Sequence, residues 1–142
     1  MMKLLVAVDG SEPARRAIDV AAKLSRETGG SEVLLLNVRD SPIYYGELPP
    51  FDAESVERGQ AAAQQALLAD ALAHARHCGL ENARTLAAEG LAAQEISRLA
   101  LEQHVDQIVM GTRGRNLLGG LLLGSVAQRV VHLAAMPVLL VK

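Results

Sequence analysis

The chain has 142 residues, 50% hydrophobic and 21% charged, with a formal net charge of −2 at pH 7. That length predicts one domain whose core needs no disulfide or metal staple. Near-neutral charge and only three aromatics (Tyr44, Tyr45, Phe51) argue against a nucleic-acid partner, which calls for basic patches and stacking platforms. The single cysteine, Cys78, excludes a disulfide framework. No apolar run approaches the roughly 20 residues of a bilayer span, so no membrane partner is expected. The segment Met1 to Asp9 is apolar only briefly and lacks a small-residue cleavage site, which leads us to expect a cytoplasmic protein.

Five short apolar runs alternate with helical patterns. The first, Leu4 to Val8, is followed by Ser11-Glu12-Pro13, where Ser can cap a helix and Pro fits its first turn. Ala14, Ile18, Ala21, Ala22 and Leu24 then recur at helical spacing, and Gly29-Gly30 stops the element. The second run is Val33 to Val38, and an irregular connection with four of its residues Pro or Gly (Pro42, Gly46, Pro49, Pro50) follows from Arg39 to about Pro50. Phe51 to about His77 reads as a long helix with Ala63, Ala66, Leu67, Asp70, Ala71 and His74 near one face, ended by Gly79. A weaker third run spans Ala83 to Ala87, and Gly90 precedes a helix carrying Ile96, Leu99 and Ala100. The fourth run is Gln107 to Met110. A last helix follows Gly124-Ser125 with Val126, Val130, Val131 and Leu133, and the fifth run is Val138 to Val141. Continuous apolar strands imply burial on both faces. The order therefore predicts an α/β fold: an open, doubly wound five-stranded parallel sheet with helices on both faces.

In such a sheet, ligands bind beyond the carboxyl ends of strands where the winding direction reverses. Two polar, Gly-containing turns occupy such ends: Asp9-Gly10-Ser11 and Gly111-Thr112-Arg113-Gly114-Arg115-Asn116. They meet at one crevice if the first and fourth strands are neighbours. Gly111 and Gly114 permit positive φ and a close backbone approach to a ligand. Gly124-Ser125 opens a helix whose unsatisfied N–H groups suit an anion, with the Ser125 hydroxyl as a further donor and Arg113 and Arg115 as candidate cations. This is a cradle for a polyphosphate. The competing explanation is that the glycines break the strand and Ser125 caps the helix. Asp9 likewise suits ribose hydroxyls or a hydrated Mg²⁺, or else an Asx turn with Gly10.

The pattern Gly111-x-x-Gly114, nine residues, then Gly124-Ser125 resembles the nucleotide-binding signature of the universal stress proteins. The ends of the chain, Leu4 to Glu12 and Met136 to Lys142, are similar to that family's ends as well. The resemblance implies the strand order 3-2-1-4-5, ATP as ligand with Mg²⁺ or Mn²⁺, and a homodimer. Carried over residue by residue, Ala7 and Asp9 lie at the ribose and adenine side, and Val38 meets adenine through its main chain. Gly111, Thr112, Arg113, Gly114 and Arg115 surround ribose and phosphates together with Asn116 and Leu117. Gly124, Ser125, Val126 and Ala127 close on the phosphates from the helix start. Ala7 stands where some ATP-binding members carry Pro. The resemblance places dimerisation on Val138 to Val141, where a bare apolar edge strand would in any case invite pairing.

The remaining signals are weaker. His74-x-x-His77-Cys78 has metal-like spacing but no second pair of soft ligands, and reads as a solvated helix end. His104 and His132 are isolated, and Cys78 lacks a CxxC partner. The favoured function is a stress or regulatory module that binds ATP without turning it over, because no Walker lysine precedes Ser125. The alternative is a slow ATPase or adenine-nucleotide-using transferase, with Asp9 orienting water. A phosphoacceptor domain is disfavoured because Gly10, not a second acid, follows Asp9. A flavodoxin-like protein would want its phosphate loop after the first strand, and more aromatics.

Overall fold

A computed structural model of the protein describes residues 1–40, 53–113 and 123–142. Strands β1 (Met2–Ala7), β2 (Ser31–Arg39), β3 (Ala83–Glu89), β4 (Gln107–Gly111) and β5 (Val138–Val141) alternate with helices α1 (Glu12–Glu27), α2 (Ala53–His77), α3 (Ala92–Glu102) and α4 (Ser125–Leu133). The strands form one parallel sheet in the order β3-β2-β1-β4-β5.

Alternate residues of each central strand feed opposite sides of the sheet. Leu4, Val6, Val33, Leu35 and Val109 pack with Ala17, Ile18 and Ala21 of α1 and with Leu68 and Ala75 of α2. Leu5, Leu34, Leu36, Ile108 and Met110 pack with Ile96 and Leu99 of α3 and with Ala127 and Val130 of α4. Both faces of the strands are thus dry, which is why they read as continuous apolar runs. Each such Leu or Ile contributes about 1.5–3 kcal/mol by leaving water. No described helix is long and apolar enough to cross a membrane.

The N-terminus of α1 forms as its sequence dictates. Ser11 is the N-cap, with extended backbone, and its Oγ accepts from the Ala14 N–H at 3.3 Å while Pro13 sits in the first turn. Two helical faces differ from expectation. In α2 the inward side is Gln64, Leu67, Leu68, Ala71, Leu72 and Ala75, whereas Ala63, Ala66 and Asp70 are exposed. An alanine-rich helix offers so little apolar contrast that its buried face shifts by a residue without penalty. In α4 only Ala127 and Val130 are buried; Val126, Val131 and Leu133 face outward.

Candidate functional site

The chain winds outward from β1 to β3, then returns to the other side of β1 as β4 and β5. A cavity of about 340 Å³ opens where that direction reverses, beyond the carboxyl ends of β1 and β4. Its walls come from Ala7, Val8, Asp9 and Ser11 after β1, and from Asn37, Val38 and Asp40 at the end of β2. Met110, Gly111, Thr112 and Arg113 of β4 face Gly124, Ser125, Val126 and Ala127 at the start of α4, with Ala92 and Ile96 of α3 closing one side. Every described residue of the sequence-derived set therefore lines one cleft. Gly114, Arg115, Asn116 and Leu117 lie outside the described residues, as do Tyr44, Tyr45 and Phe51.

Asp9 makes the turn anticipated as its plain role. Its Oδ1 accepts from the Ser11 backbone N–H at 2.9 Å and from the Ser11 hydroxyl, and Gly10 takes φ +81° to complete the turn. Oδ2 has no hydrogen-bond partner among the described residues, so one carboxylate oxygen remains for a ligand while the other fixes the side chain's direction. Asp9, Asp40 and Arg113 are the charged side chains lining the cavity among the described residues, an excess of one negative charge.

Gly111 is required for a reason other than positive φ. A Cβ added there would lie 2.6 Å from Pro13 Cβ and 3.1 Å from the Pro13 backbone carbon. The glycine lets the end of β4 press against the first turn of α1, and so sets the width of the cleft. Beyond it, the Thr112 N–H bonds the Val141 carbonyl at 2.8 Å, and the Thr112 carbonyl accepts from the Gly124 N–H at 2.6 Å. The chain departs at Thr112 and is tied back to it at Gly124.

The N-cap of α4 is Gly124, with φ −69° and ψ 161°, and no side chain caps the helix. The competing explanation for Ser125 therefore fails: Ser125 is the first helical residue, not the cap. The first intrahelical bond runs from Gln128 N–H to the Gly124 carbonyl at 3.0 Å. The N–H groups of Ser125, Val126 and Ala127 bond no described residue, and these three residues line the cavity. Three donors without a partner among the described residues and the positive end of the helix dipole thus meet the cleft.

A buried polar pair supports the opposite wall. Asn37, 8% exposed, donates from Nδ2 to the Val8 carbonyl at 2.6 Å. Gln64 of α2, 7% exposed, donates from Nε2 to the Asn37 carbonyl and Oδ1, each at 3.0 Å, and to the Ala88 carbonyl at 2.9 Å. The carboxyl ends of β1, β2 and β3 are thereby joined just where the cleft needs them fixed. Sequence reasoning missed both residues. Asn37 had a signal, as the one polar residue interrupting the apolar run Val33 to Val38. Gln64 had none, since Gln65 beside it is exposed.

The family model for the universal stress protein family matches residues 1–142. A universal stress protein of Thermus aquaticus is 38% identical over 140 residues, covering 98% of this chain and 97% of that protein. The universal stress protein UspA from Lactobacillus plantarum superposes with a TM-score of 0.83 at 23% identity, over 99% of this chain and 97% of that one. A universal stress protein from Archaeoglobus fulgidus, solved in complex with dAMP, has a TM-score of 0.66 at 26% identity over 100% of this chain and 98% of its own.

Proposed function

Because this chain belongs to the universal stress protein family, we propose that its cleft binds ATP and that nucleotide occupancy regulates a stress response. The observation that carries the reading is the uncapped start of α4, with the N–H groups of Ser125, Val126 and Ala127 unpaired among the described residues and those residues lining the cavity. Phosphate oxygens are the ligand that such an array binds best. The volume of about 340 Å³ falls in the range of small-molecule sites. The dAMP complex of the Archaeoglobus fulgidus relative supports an adenine nucleotide.

In this reading the base lies against the end of β2, next to the Val38 main chain and the wall stiffened by Asn37 and Gln64. Asp9 accepts from ribose through Oδ2, and Ala7 contributes backbone. Gly111 keeps the floor open, Arg113 offers a cation, and Ser125 adds its hydroxyl to the amide donors. Gly114, Arg115, Asn116 and Leu117 enter this proposal from the sequence pattern alone. The cleft carries an excess of acid over base among its described residues, so the phosphates call for Mg²⁺ or Mn²⁺. The donors for that ion would be the nucleotide phosphates and water, a hard oxygen set that suits either. What the ion supplies is charge neutralisation.

The reading extends to a cytoplasmic homodimer joined at β5. Ile108 and Thr112 N–H groups bond the carbonyls of Pro137 and Val141, so strand alternation turns the N–H groups of Val138 and Leu140 to the outer edge. An edge of this kind pairs readily with a second copy.

Calorimetric titration of nucleotide-stripped protein with ATP and AMP, with and without Mg²⁺, tests the central claim. Binding of ATP at micromolar strength and markedly weaker binding of AMP are expected, because AMP lacks the phosphates that reach α4. No binding of either nucleotide, or equal affinity for both, overturns the phosphate role of the α4 start.

A further inference from the structure

A second group of chemically competent side chains lies outside the cleft, where α1 packs on α2. His74 in the last turn of α2 and Cys78, the first residue beyond it, are four residues apart and share a face, since the Cys78 N–H still bonds the His74 carbonyl at 3.0 Å, and Asp19 of α1 meets both. His74 Nε2 lies 2.7 Å from Asp19 Oδ1; Cys78 Sγ lies 3.4 Å from that same oxygen and 3.6 Å from that same nitrogen. The expected solvated helix end holds for His77, which is exposed, but not for His74, whose side chain is 13% exposed. The third partner was invisible in sequence because it comes from another helix.

Two chemistries employ Cys, His and Asp together. In a nucleophile–base–orienter relay, thiol and carboxylate occupy opposite nitrogens of the imidazole. Here both converge on Nε2, so no proton can be relayed through the ring between them. Burial, and then the hydrogen bond and charge of Asp19, push the Cys78 thiol up, which is the reverse of an activated nucleophile. Three different donor atoms aimed at one point serve a cation instead.

We infer that Asp19, His74 and Cys78 form a site for one Zn²⁺ ion, with solvent as the fourth ligand. A tetrahedral zinc with bonds of about 2.3 Å to sulfur and about 2.1 Å to nitrogen and oxygen requires edges of about 3.6 Å for S···N and S···O and about 3.4 Å for N···O. Two edges, at 3.6 and 3.4 Å, already stand close to those values. Only the 2.7 Å edge between His74 and Asp19 must widen, as one hydrogen bond gives way to two metal bonds. Asp19 has room for that, its side chain being 52% exposed. Arg26 Nη1 donates to the Cys78 carbonyl at 3.2 Å and steadies the helix end that carries the sulfur. Thiolate and imidazole select zinc over Mg²⁺ and Ca²⁺, which want six or more oxygens. On binding, the Cys78 thiol releases its proton to solvent, His74 coordinates as the neutral ring, and no electron is transferred. The ion would pin α1 to α2.

The test uses full-length, reduced, nucleotide-free protein stripped of metal, titrated with Co²⁺ as a spectroscopic stand-in and then with Zn²⁺. One Co²⁺ per chain is expected, with a thiolate charge-transfer band and the intense visible bands of a tetrahedral ion, displaced by stoichiometric Zn²⁺. Cys78→Ser should abolish the charge-transfer band, and His74→Ala and Asp19→Asn should each weaken zinc by at least about tenfold. His77→Ala should change nothing. Absence of the thiolate band in saturated wild-type protein overturns the inference, whatever the variants do. So does retention of wild-type zinc affinity in His74→Ala, or its loss in a folded His77→Ala variant.

Discussion

Gln64 and Gln65 are neighbours of identical chemistry, and replacing each by leucine separates burial from composition. Leucine is a near-isosteric, helix-favouring residue, so the exchange at Gln64 removes hydrogen bonds without leaving a large void or disturbing α2. Gln64 Nε2 serves three acceptors, the Asn37 carbonyl and Oδ1 and the Ala88 carbonyl, at 2.9–3.0 Å. A buried acceptor stripped of its donor costs about 1–3 kcal/mol. One of the three, Asn37 Oδ1, is on a side chain, and the cleft beside it admits water, so we expect a net loss of about 2–4 kcal/mol, the equivalent of one to two full penalties. Against a typical total of about 5–15 kcal/mol that is a large fraction, and at about 2–4 °C per kcal/mol for a chain of this size it lowers Tm by roughly 4–16 °C. Gln65→Leu, on the exposed side, should stay within about 0.5 kcal/mol of the parent. Urea unfolding followed by circular dichroism gives both numbers. Equal effects at the two positions would refute the assignment of Gln64 as the tie between the strand ends.

Other expectations test the site and its surroundings. Ser125→Pro should remove an amide donor and a hydroxyl while suiting the first helical position, since Gly124 before it is already extended; ATP affinity falls more than about tenfold while Tm holds or rises. A matching fall in Tm would mean that the N–H was structural. Gly111→Ala should drive a methyl into Pro13 and destabilise the fold by about 1–3 kcal/mol, measured by denaturant titration. The bonds from Arg98 hold the Glu95 carboxyl below its ordinary range. Its contribution is therefore fully present above the ordinary carboxylate range and lost as pH falls through the lowered value. The stability gap between the parent and Glu95→Gln should be small at neutral pH, close on acidification and shrink with salt. Leu140→Pro should leave the β4 ladder intact yet yield a monomer in light scattering, and a stable dimer would remove the β5 edge from the interface.

Much of the architecture could be read from the chain because its strongest signals are local. Leu4 to Val8 and Val33 to Val38 are buried on both sides, so their apolar continuity translated directly into central strands. Ser11 and Pro13 spelled a helix start that forms as written. The crevice was legible too, since a topological rule brings Asp9 and Gly111 together once β1 and β4 are adjacent. What stayed hidden depends on partners distant in sequence. Gly111 announced a break, but its actual neighbour is Pro13. Gln64 differs from Gln65 only in facing two strands, and Asp19 acquires meaning only when α2 sets His74 and Cys78 beside it. The outward turn of Val126, Val131 and Leu133 escaped for a related reason: α4 is short, and its apolar positions nearly encircle it.

The hydrogen bond from Gly124 N–H to the Thr112 carbonyl has an implication for how this chain tolerates changes of length. Because Thr112 and Gly124 are clasped together, a change in the length of chain between them need not move either end. Lengthening a loop between fixed ends costs free energy only logarithmically, about 0.6 kcal/mol for each doubling. Insertions between these two residues therefore need not displace the start of α4.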